Sequence, residues 1–233
     1  MNPRVLYRAA TYATDARAAA DSVISALTPA AWYRNATGVT ESGGFASQWD
    51  DYSGNGRHLI QLTGTNQPAY SEGVFTFDGL DNFLQTGAIS IAPPFTFVGV
   101  FKQVSWTASD ALSDGGAVNQ AALSQTSASP TLALWGSGSG ADNTNLAIGS
   151  EGIVAYGHKV AGTTMFIQVN ATAETTRAGD IWGLSLTRIS LGNSFNTRYA
   201  NMSCREFILF NSVLSSGDRT ALITALNNAM TVF

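Results

Sequence analysis

Residues 95–101 read Phe95-Thr96-Phe97-Val98-Gly99-Val100-Phe101. Successive side chains of an extended chain point to opposite faces, so this alternation gives a strand with one continuously apolar face. A two-residue period of this kind is typical of a β-strand that packs against a core. Residues 165–169, Met165-Phe166-Ile167-Gln168-Val169, repeat the pattern. The sequence therefore predicts an all-β protein.

Further short apolar runs occur on both sides of residues 95–101, separated by turns rich in Gly, Ser, Asn and Asp. Because several short strands with turn signals between them are typical of sandwiches, we predict a two-sheet antiparallel β-sandwich, or jelly roll. The predicted strands are Val74–Phe77, Phe83–Thr86, Phe95–Val104, Ala121–Gln125, Thr131–Trp135, Leu146–Ile148, Ile153–His158, Met165–Asn170, Ile181–Ile189 and Arg205–Phe210.

The two ends of the chain have a different pattern. Residues Met1–Thr11 are predicted to form an arm, and the apolar spacing that follows predicts a helix over Asp15–Leu27. Near the C-terminus, Ser215 or Ser216 is predicted to cap a short helix. We therefore divide the chain into an N-terminal arm and helix, residues 1–28, and a β-domain, residues 29–233.

Composition excludes several classes of protein. Only 12% of the 233 residues are charged, against about a quarter in a typical soluble domain, and 45% are hydrophobic. Such a hydrophobic chain is not expected to be disordered. A net charge of -4 with only two lysines argues against nucleic-acid binding. No run approaches the ~20 apolar residues of a membrane span. The single cysteine, Cys204, excludes an intramolecular disulfide.

Four motifs occur in a fixed order along the chain. They are Trp49-Asp50-Asp51-Tyr52-Ser53-Gly54-Asn55-Gly56, then Phe77-Asp78-Gly79-Leu80-Asp81, then Phe95-Thr96-Phe97, and finally Arg205-Glu206-Phe207-Ile208-Leu209-Phe210-Asn211-Ser212-Val213-Leu214-Ser215. From about Ala30 to Phe233 this series resembles the laminin-G-like branch of the concanavalin A-like lectin/glucanase superfamily. The resemblance implies a concanavalin A-like jelly roll. The motif residues themselves are interpreted as turns and core aromatics, and Glu206 is expected to pair with a nearby arginine or with the backbone.

The superfamily contains glycoside hydrolases, whose activity depends on paired carboxylates. Retaining glycosidases need two carboxyl groups about 5–5.5 Å apart. Hydrolases of this fold carry a Glu-x-Asp-x-x-Glu or Glu-x-Asp-x-Glu strand, and this chain has no two glutamates at such a spacing. We therefore predict a non-enzymatic protein, with a degenerate or active glycosidase kept as a third alternative.

Loop residues suggest two kinds of ligand. Laminin-G-like domains often bind calcium at a sheet rim, and Asp110 and Asp114 are weak candidate ligands; no other cofactor is expected. Glycan binding in this fold uses aromatic side chains that stack on sugars. Trp106 and Trp135, which border polar loops, are the candidates, and Tyr156 and His158 are predicted to face the same surface.

The absence of an export signal and of disulfides contrasts with a fold that usually works outside cells. Small laminin-G-like proteins of this kind resemble structural proteins of tailed bacteriophages, which assemble in the host cytoplasm and leave by lysis. The leading hypothesis is a virion protein, a capsid decoration or tail component, that forms homo-oligomers and contacts other virion proteins. It would attach through the arm residues Pro3, Arg4, Val5, Leu6, Tyr7 and Arg8. The alternative is a lectin-like module that binds host-surface glycans.

Overall fold

The computed structural model describes residues 3–116, 120–136, 139–160, 164–178, 185–194 and 197–233. These residues contain two α-helices, α1 (Pro3–Ala26) and α2 (Ser216–Met230), and a short 3-10 helix at Gly64–Asn66. All other regular structure is β, so the all-β prediction is confirmed. No helix in the described ranges is long and apolar enough to cross a membrane.

Nineteen strands occur among the described residues. They are β1 (Ala31–Tyr33), β2 (Val39–Ser42), β3 (Phe45–Trp49), β4 (Leu59–Ile60), β5 (Ala69–Ser71), β6 (Val74–Asp78), β7 (Leu84–Gln85), β8 (Phe95–Gln103), β9 (Ala111–Asp114), β10 (Gln120–Gln125), β11 (Leu132–Gly136), β12 (Ser139–Asn143), β13 (Glu151–Val160), β14 (Thr164–Val169), β15 (Thr175–Ala178), β16 (Ser190–Leu191), β17 (Asn193–Ser194), β18 (Arg198–Tyr199) and β19 (Asn201–Phe210).

The strands form one large sheet in which nearly all pairings are antiparallel. One part of it places β15, β14, β13, β8 and β19 side by side, with β6 and β1 beyond β19. The other part runs β12, β11, β10, β9, β16, β7, β4, β3 and β2. Strand β5 pairs with both β6 and β3, and so connects the two parts.

The alternation in β8 explains how this strand contacts apolar residues on both of its faces. Phe95, Phe97 and Phe101 enter the main core, which also contains side chains from the second part of the sheet such as Leu123 and Leu134. The intervening residues of β8 point the other way. The strand is buried on both faces because a second apolar cluster lies behind it.

That second cluster is formed by the two helices on the outer face of β8, β13 and β19. Ile24 of α1 and Leu222 of α2 pack there with Val98 and Ile208 of the sheet. Helix α2 begins as predicted, since the Ser215 side chain accepts a hydrogen bond from the backbone N–H of Asp218. The helices are thus a layer of the fold.

The structure corrects the prediction of an N-terminal arm over Met1–Thr11. Residues from Pro3 to Ala26 form one continuous helix. No glycine or further proline interrupts this segment, and Pro3 occupies the first turn, where a missing N–H is tolerated. The side chains of the predicted arm residues, Pro3 to Arg8, lie outside the described part of the structure.

Eight of the ten predicted strands are confirmed within a few residues, as β6, β7, β8, β10, β11, β13, β14 and β19. The strands β1–β5, β9, β12 and β15–β18 were not predicted, and three segments were assigned differently. Residues 110–116, interpreted as a loop, contain strand β9. The predicted strand Leu146–Ile148 is not a strand. The predicted strand Ile181–Ile189 lies partly outside the described residues, and within its described part Leu186 forms an isolated bridge with Ile91.

Candidate functional site

Two of the predicted glycan-binding residues are buried in the core, which corrects their assignment to a surface. Strand β13 lies between β8 and β14, and Tyr156 and His158 sit opposite Phe97 and Phe95 in the register. The Tyr156 ring stacks on Phe97 with centroids 5.2 Å apart, and the His158 ring lies 4.8 Å from that of Phe95. Neither side chain is accessible to a sugar.

Burial also determines how these two side chains ionise. It raises the pKa of Tyr156, whose hydroxyl is hydrogen bonded to Ser113 on β9. It lowers the pKa of His158 to about 4. Neither ring nitrogen of His158 has a hydrogen-bond partner among the described residues, so nothing compensates for the lost hydration of the charged form. Both residues therefore remain neutral at pH 7.

The other two aromatic candidates, Trp106 and Trp135, are half-buried. Trp106 lies in the loop after β8, which Gln125 holds by accepting a hydrogen bond from the Thr107 N–H at 2.9 Å. Trp135 lies on β11 opposite two small residues, Ala122 and Gly140. It is three residues, about 10 Å, along β11 from the Leu132–Gln125 pair. The two residues are thus positioned by different elements, Trp106 by the loop after β8 and Trp135 by β11.

The predicted calcium ligands are also separated. Asp110 precedes β9 and Asp114 ends it, which places their Cα atoms about 13 Å apart along the strand. Asp114 is buried and accepts hydrogen bonds from Ser194 Oγ at 2.5 Å and the Gly115 N–H at 2.7 Å. Burial raises its pKa to about 6, although these bonds oppose the shift. Within the described ranges, no three His, Cys, Asp or Glu side chains are grouped to hold a metal ion.

Helix α1 is fixed to the β-layers by a buried ion pair, which confirms the expectation that Glu206 pairs with an arginine. Glu206 of β19 is fully buried, and Arg17 of α1 donates to its two carboxylate oxygens at 2.9 and 3.0 Å. The same carboxylate accepts from Trp32 Nε1 at 2.6 Å and from the Asn35 N–H at 2.8 Å. Four donors therefore satisfy one buried charge.

This ion pair continues toward the surface. Asp21 of α1 accepts hydrogen bonds from Arg17 at 2.5 Å and from Arg34 at 2.8 Å. Burial raises the pKa of Asp21, but the bonds to Arg34 and Arg17 outweigh burial and hold it below its usual value. Burial alone would lower the pKa of Arg17, because it disfavours the charged guanidinium. The contacts with Glu206 and Asp21 outweigh burial, so the pKa of Arg17 is raised above its usual value. Both shifts favour the charged forms of Arg17 and Asp21 at neutral pH.

Beside this network, the Trp49–Gly56 motif and the residues that follow it form a loop around one carboxylate. Asp51 accepts from the Trp32 N–H at 2.9 Å and from the N–H and hydroxyl of Ser53 at 3.0 and 2.6 Å. Its other oxygen accepts from the Arg57 N–H at 3.0 Å. The expectation that this motif builds a turn is therefore confirmed, and the turn positions Tyr52 and Arg57.

Those two residues line a surface groove of about 580 Å³ between the end of α1, β1 and the loop. Tyr52 is 54% exposed. Its ring meets the Trp32 ring edge to face at 4.9 Å, and the Arg34 guanidinium lies 5.3 Å from its centroid. The remaining lining residues are Ser25, Thr28, Pro29, Ala30, Ser53, Asn55 and Asn211. This groove combines an exposed aromatic ring with polar groups.

Solved structures with a similar fold come from carbohydrate-active proteins. A mutant Trypanosoma rangeli sialidase with trans-sialidase activity aligns with a TM-score of 0.64 at 9% identity, over 88% of this chain and 34% of its own. The ligand-binding domain of botulinum neurotoxin serotype D, in complex with N-acetylneuraminic acid, gives 0.62 at 12% identity, over 88% and 52%. A GH54 α-L-arabinofuranosidase mutant gives 0.60 at 14% identity, over 79% and 51%.

These similarities concern the fold alone, because every identity is low. The chain spans between about a third and a half of the length of these solved structures. No protein-family model matches the chain, and no curated protein matches its sequence. The chain thus has an all-β fold that also occurs in carbohydrate-processing and carbohydrate-binding proteins.

Proposed function

We propose that the chain is a concanavalin A-like jelly-roll domain that acts as a non-enzymatic structural protein of a tailed bacteriophage. It is displayed on the particle, on the capsid or the tail, and attaches to other virion proteins through the first half of α1. The observation that carries this proposal is the length of α1 together with its firm attachment to the β-layers.

The two helices differ in length. At 1.5 Å per residue, the 24 residues of α1 span about 36 Å and the 15 residues of α2 about 22 Å. Helix α1 lines a groove with α2 from Asp15 onward. The segment before it, residues 3–14, adds about 18 Å of helix and carries Arg4 and Arg8 beside apolar residues. This composition suits docking on an acidic or apolar groove of an assembly.

Deleting residues 2–13 in the phage that encodes the chain tests this attachment. We expect purified particles to lose the protein, measured as copies per particle by quantitative mass spectrometry. The isolated truncated chain is expected to melt like the full chain, because the deletion ends before the Arg17–Glu206 ion pair. Full incorporation of the truncated protein would contradict attachment through this segment, and absence of the intact protein from particles would contradict the virion role.

A second candidate function is carbohydrate binding, as a lectin-like module for host-surface glycans. Structural neighbours that bind or process carbohydrates support it, as does Trp135, which is half-buried on β11 opposite the small residues Ala122 and Gly140. Trp135→Ala or Trp106→Ala is expected to reduce retention on immobilised glycans without lowering the melting temperature. Unchanged retention by both variants would count against these two sites.

A further inference from the structure

The groove beside Tyr52 contains a cation without an acidic partner. Arg57 donates through Nη1 to the Ala30 carbonyl. Across the described residues it forms no ion pair, whereas Arg17, Arg34, Arg205 and Arg219 all do. A guanidinium has five N–H donors in a planar fork, so most of those of Arg57 remain free for a ligand. The planar fork matches a carboxylate, which it can hold through two parallel hydrogen bonds.

Among the residues that line the groove, Arg57 carries the single charge. None of the other lining residues is charged, although the whole chain carries a net charge of -4. An anion that enters the groove therefore meets one positive charge on the lining, while the carboxylate of Asp51, behind the lining, is buried and already accepts hydrogen bonds from Trp32, Ser53 and Arg57. Neutral donors and acceptors surround it, among them Ser25 and Asn211. A groove of this composition favours a small ligand that is both polyhydroxylated and anionic.

Tyr52 supplies the apolar part of such a site. Arg34 lies over its ring at 5.3 Å and Trp32 meets the ring edge to face, so the ring orientation is fixed while more than half of the residue stays exposed. Solvent-exposed aromatic rings provide apolar surface for the C–H face of a pyranose. The volume of about 580 Å³ lies within the usual range of small-ligand sites, roughly 300–1,000 Å³.

The loop is also held in place before any ligand arrives. Asp51 accepts hydrogen bonds from Trp32, Ser53 and Arg57, and so ties the loop to β1. Asn55 donates through Nδ2 to the Ala30 carbonyl at 3.0 Å, which leaves its Oδ1 as an acceptor. A site ordered in this way loses little conformational entropy on binding.

We infer that this groove binds a carboxylate-bearing pyranose, a uronic acid within a glycan. Arg57 holds the carboxylate, and Tyr52 stacks on the sugar ring. The inference deepens the carbohydrate-binding alternative and rests on it. It does not depend on attachment through α1.

The test uses the full chain and two matched probes, methyl β-D-glucuronide and methyl β-D-glucopyranoside, which differ only in the carboxylate. Ligand-observed NMR titration measures both dissociation constants. We expect the glucuronide to bind at least about tenfold more tightly. Arg57→Gln is expected to abolish this preference, and Tyr52→Ala to weaken both probes. Lys102→Gln, on β8 and outside the groove, is the charge-matched control and leaves binding unchanged.

Each remaining outcome has a defined meaning. Equal affinity for the two probes, or no glucuronide binding at all, overturns the inference. Glucuronide binding that survives Arg57→Gln and Tyr52→Ala but is lost in Trp135→Ala overturns this site while supporting carbohydrate binding elsewhere. If Arg57→Gln lowers the melting temperature, Arg57→Lys replaces it. That variant keeps the charge but not the fork, and it is expected to retain only part of the preference.

Discussion

Among single residues, Gly99 shows how tightly the main core is filled. A Cβ atom at this position would lie 2.2 Å from Cε2 and 2.4 Å from Cζ of Phe101. That ring is fully buried, with its centroid 5.7 Å from that of Phe207, so it cannot move without repacking the core. We therefore expect Gly99→Ala to lower the free energy of unfolding by about 1–3 kcal/mol, measured by urea denaturation.

The matched control is Gly87→Ala. A Cβ at Gly87 meets nothing within 4 Å, and this glycine is not in the left-handed region. The control substitution should leave the free energy of unfolding within about 0.5 kcal/mol of the wild-type value. Equal stability of the two variants would show that the Phe101 ring can move aside at little cost.

His158 makes stability depend on pH. Its pKa is about 4 in the folded protein, because burial disfavours the charged ring, and about 6.5 in an unfolded chain. The unfolded state thus binds more protons below pH 6.5, and stability is lost as the pH falls from 6.5 to 4. In His158→Phe this loss should disappear, while the free energy of unfolding at pH 7 stays close to the wild-type value.

The measurement is a set of urea unfolding curves between pH 4 and 7.5 for both proteins. At pH 4 the two should differ by up to about 3 kcal/mol, the upper limit set by a shift of this size. Asp114 has the opposite effect in the same window, since its pKa is raised to about 6. Both proteins contain Asp114, so the difference between their free energies of unfolding reports the effect of His158 alone. A difference that does not change with pH would show that His158 can be protonated in the folded state.

Between elements, local patterns predicted long strands such as β8, β13 and β19 and missed most of the short strands and the connections between layers. The alternation in β8 and β14, and the capping serine of α2, are properties of neighbouring residues and could be recognised without tertiary contacts. Strand β9 was missed because its ends carry aspartates and glycines, which also form turns. Its pairing with β10 and β16 overrides that preference.

The candidate site was harder to predict for a related reason. The motif around Tyr52 was correctly interpreted as a turn, but its exposed ring becomes part of a site only beside the end of α1 and Asn211, which are distant in sequence. Tyr156 and His158 were wrongly predicted to lie at the surface. Alternation shows that two residues share one face of a strand, but it cannot show whether other parts of the protein bury that face. The neighbouring strands β8 and β14 decide that.

The attachment of α1 to the sheet should be sensitive to one substitution. Arg17→Met keeps most of the side-chain length but leaves Glu206 charged, fully buried and without its cation. Removing one partner of a buried pair typically costs about 3–5 kcal/mol. Because Arg17 is partly exposed, we expect a loss of about 3 kcal/mol in the free energy of unfolding, measured by urea denaturation.

A second substitution separates the effect of the charge from that of packing. In Arg17→Met/Glu206→Gln the buried group is neutral, and its amide oxygen can still accept a hydrogen bond from Trp32 or Asn35. The double variant should therefore be more stable than Arg17→Met alone. If it is equally or less stable, the loss in the single variant comes from packing and not from the unpaired carboxylate.

In the molecule as a whole, the second half of α1 belongs to the folded unit. The sequence placed a boundary at residue 28, whereas Ile24 is fully buried in the cluster that also contains Trp32, Phe210 and Leu226. A cut at the predicted boundary would expose this cluster and remove Arg17 from Glu206. A cut before Thr14 leaves both features in place.

Two truncations test this division. Deletion of residues 2–13 should leave the melting temperature unchanged, while deletion of residues 2–27 should lower it by about 10 °C or more, measured by differential scanning calorimetry. The size follows from losing a buried isoleucine and a buried ion pair, several kcal/mol together, at about 2–4 °C per kcal/mol. Equal melting temperatures would mean that α1 is a separable arm after all. The β-domain would then be joined to the particle by a mobile segment. The Arg17–Glu206 pair instead predicts that α1 holds the β-domain in one orientation relative to the particle.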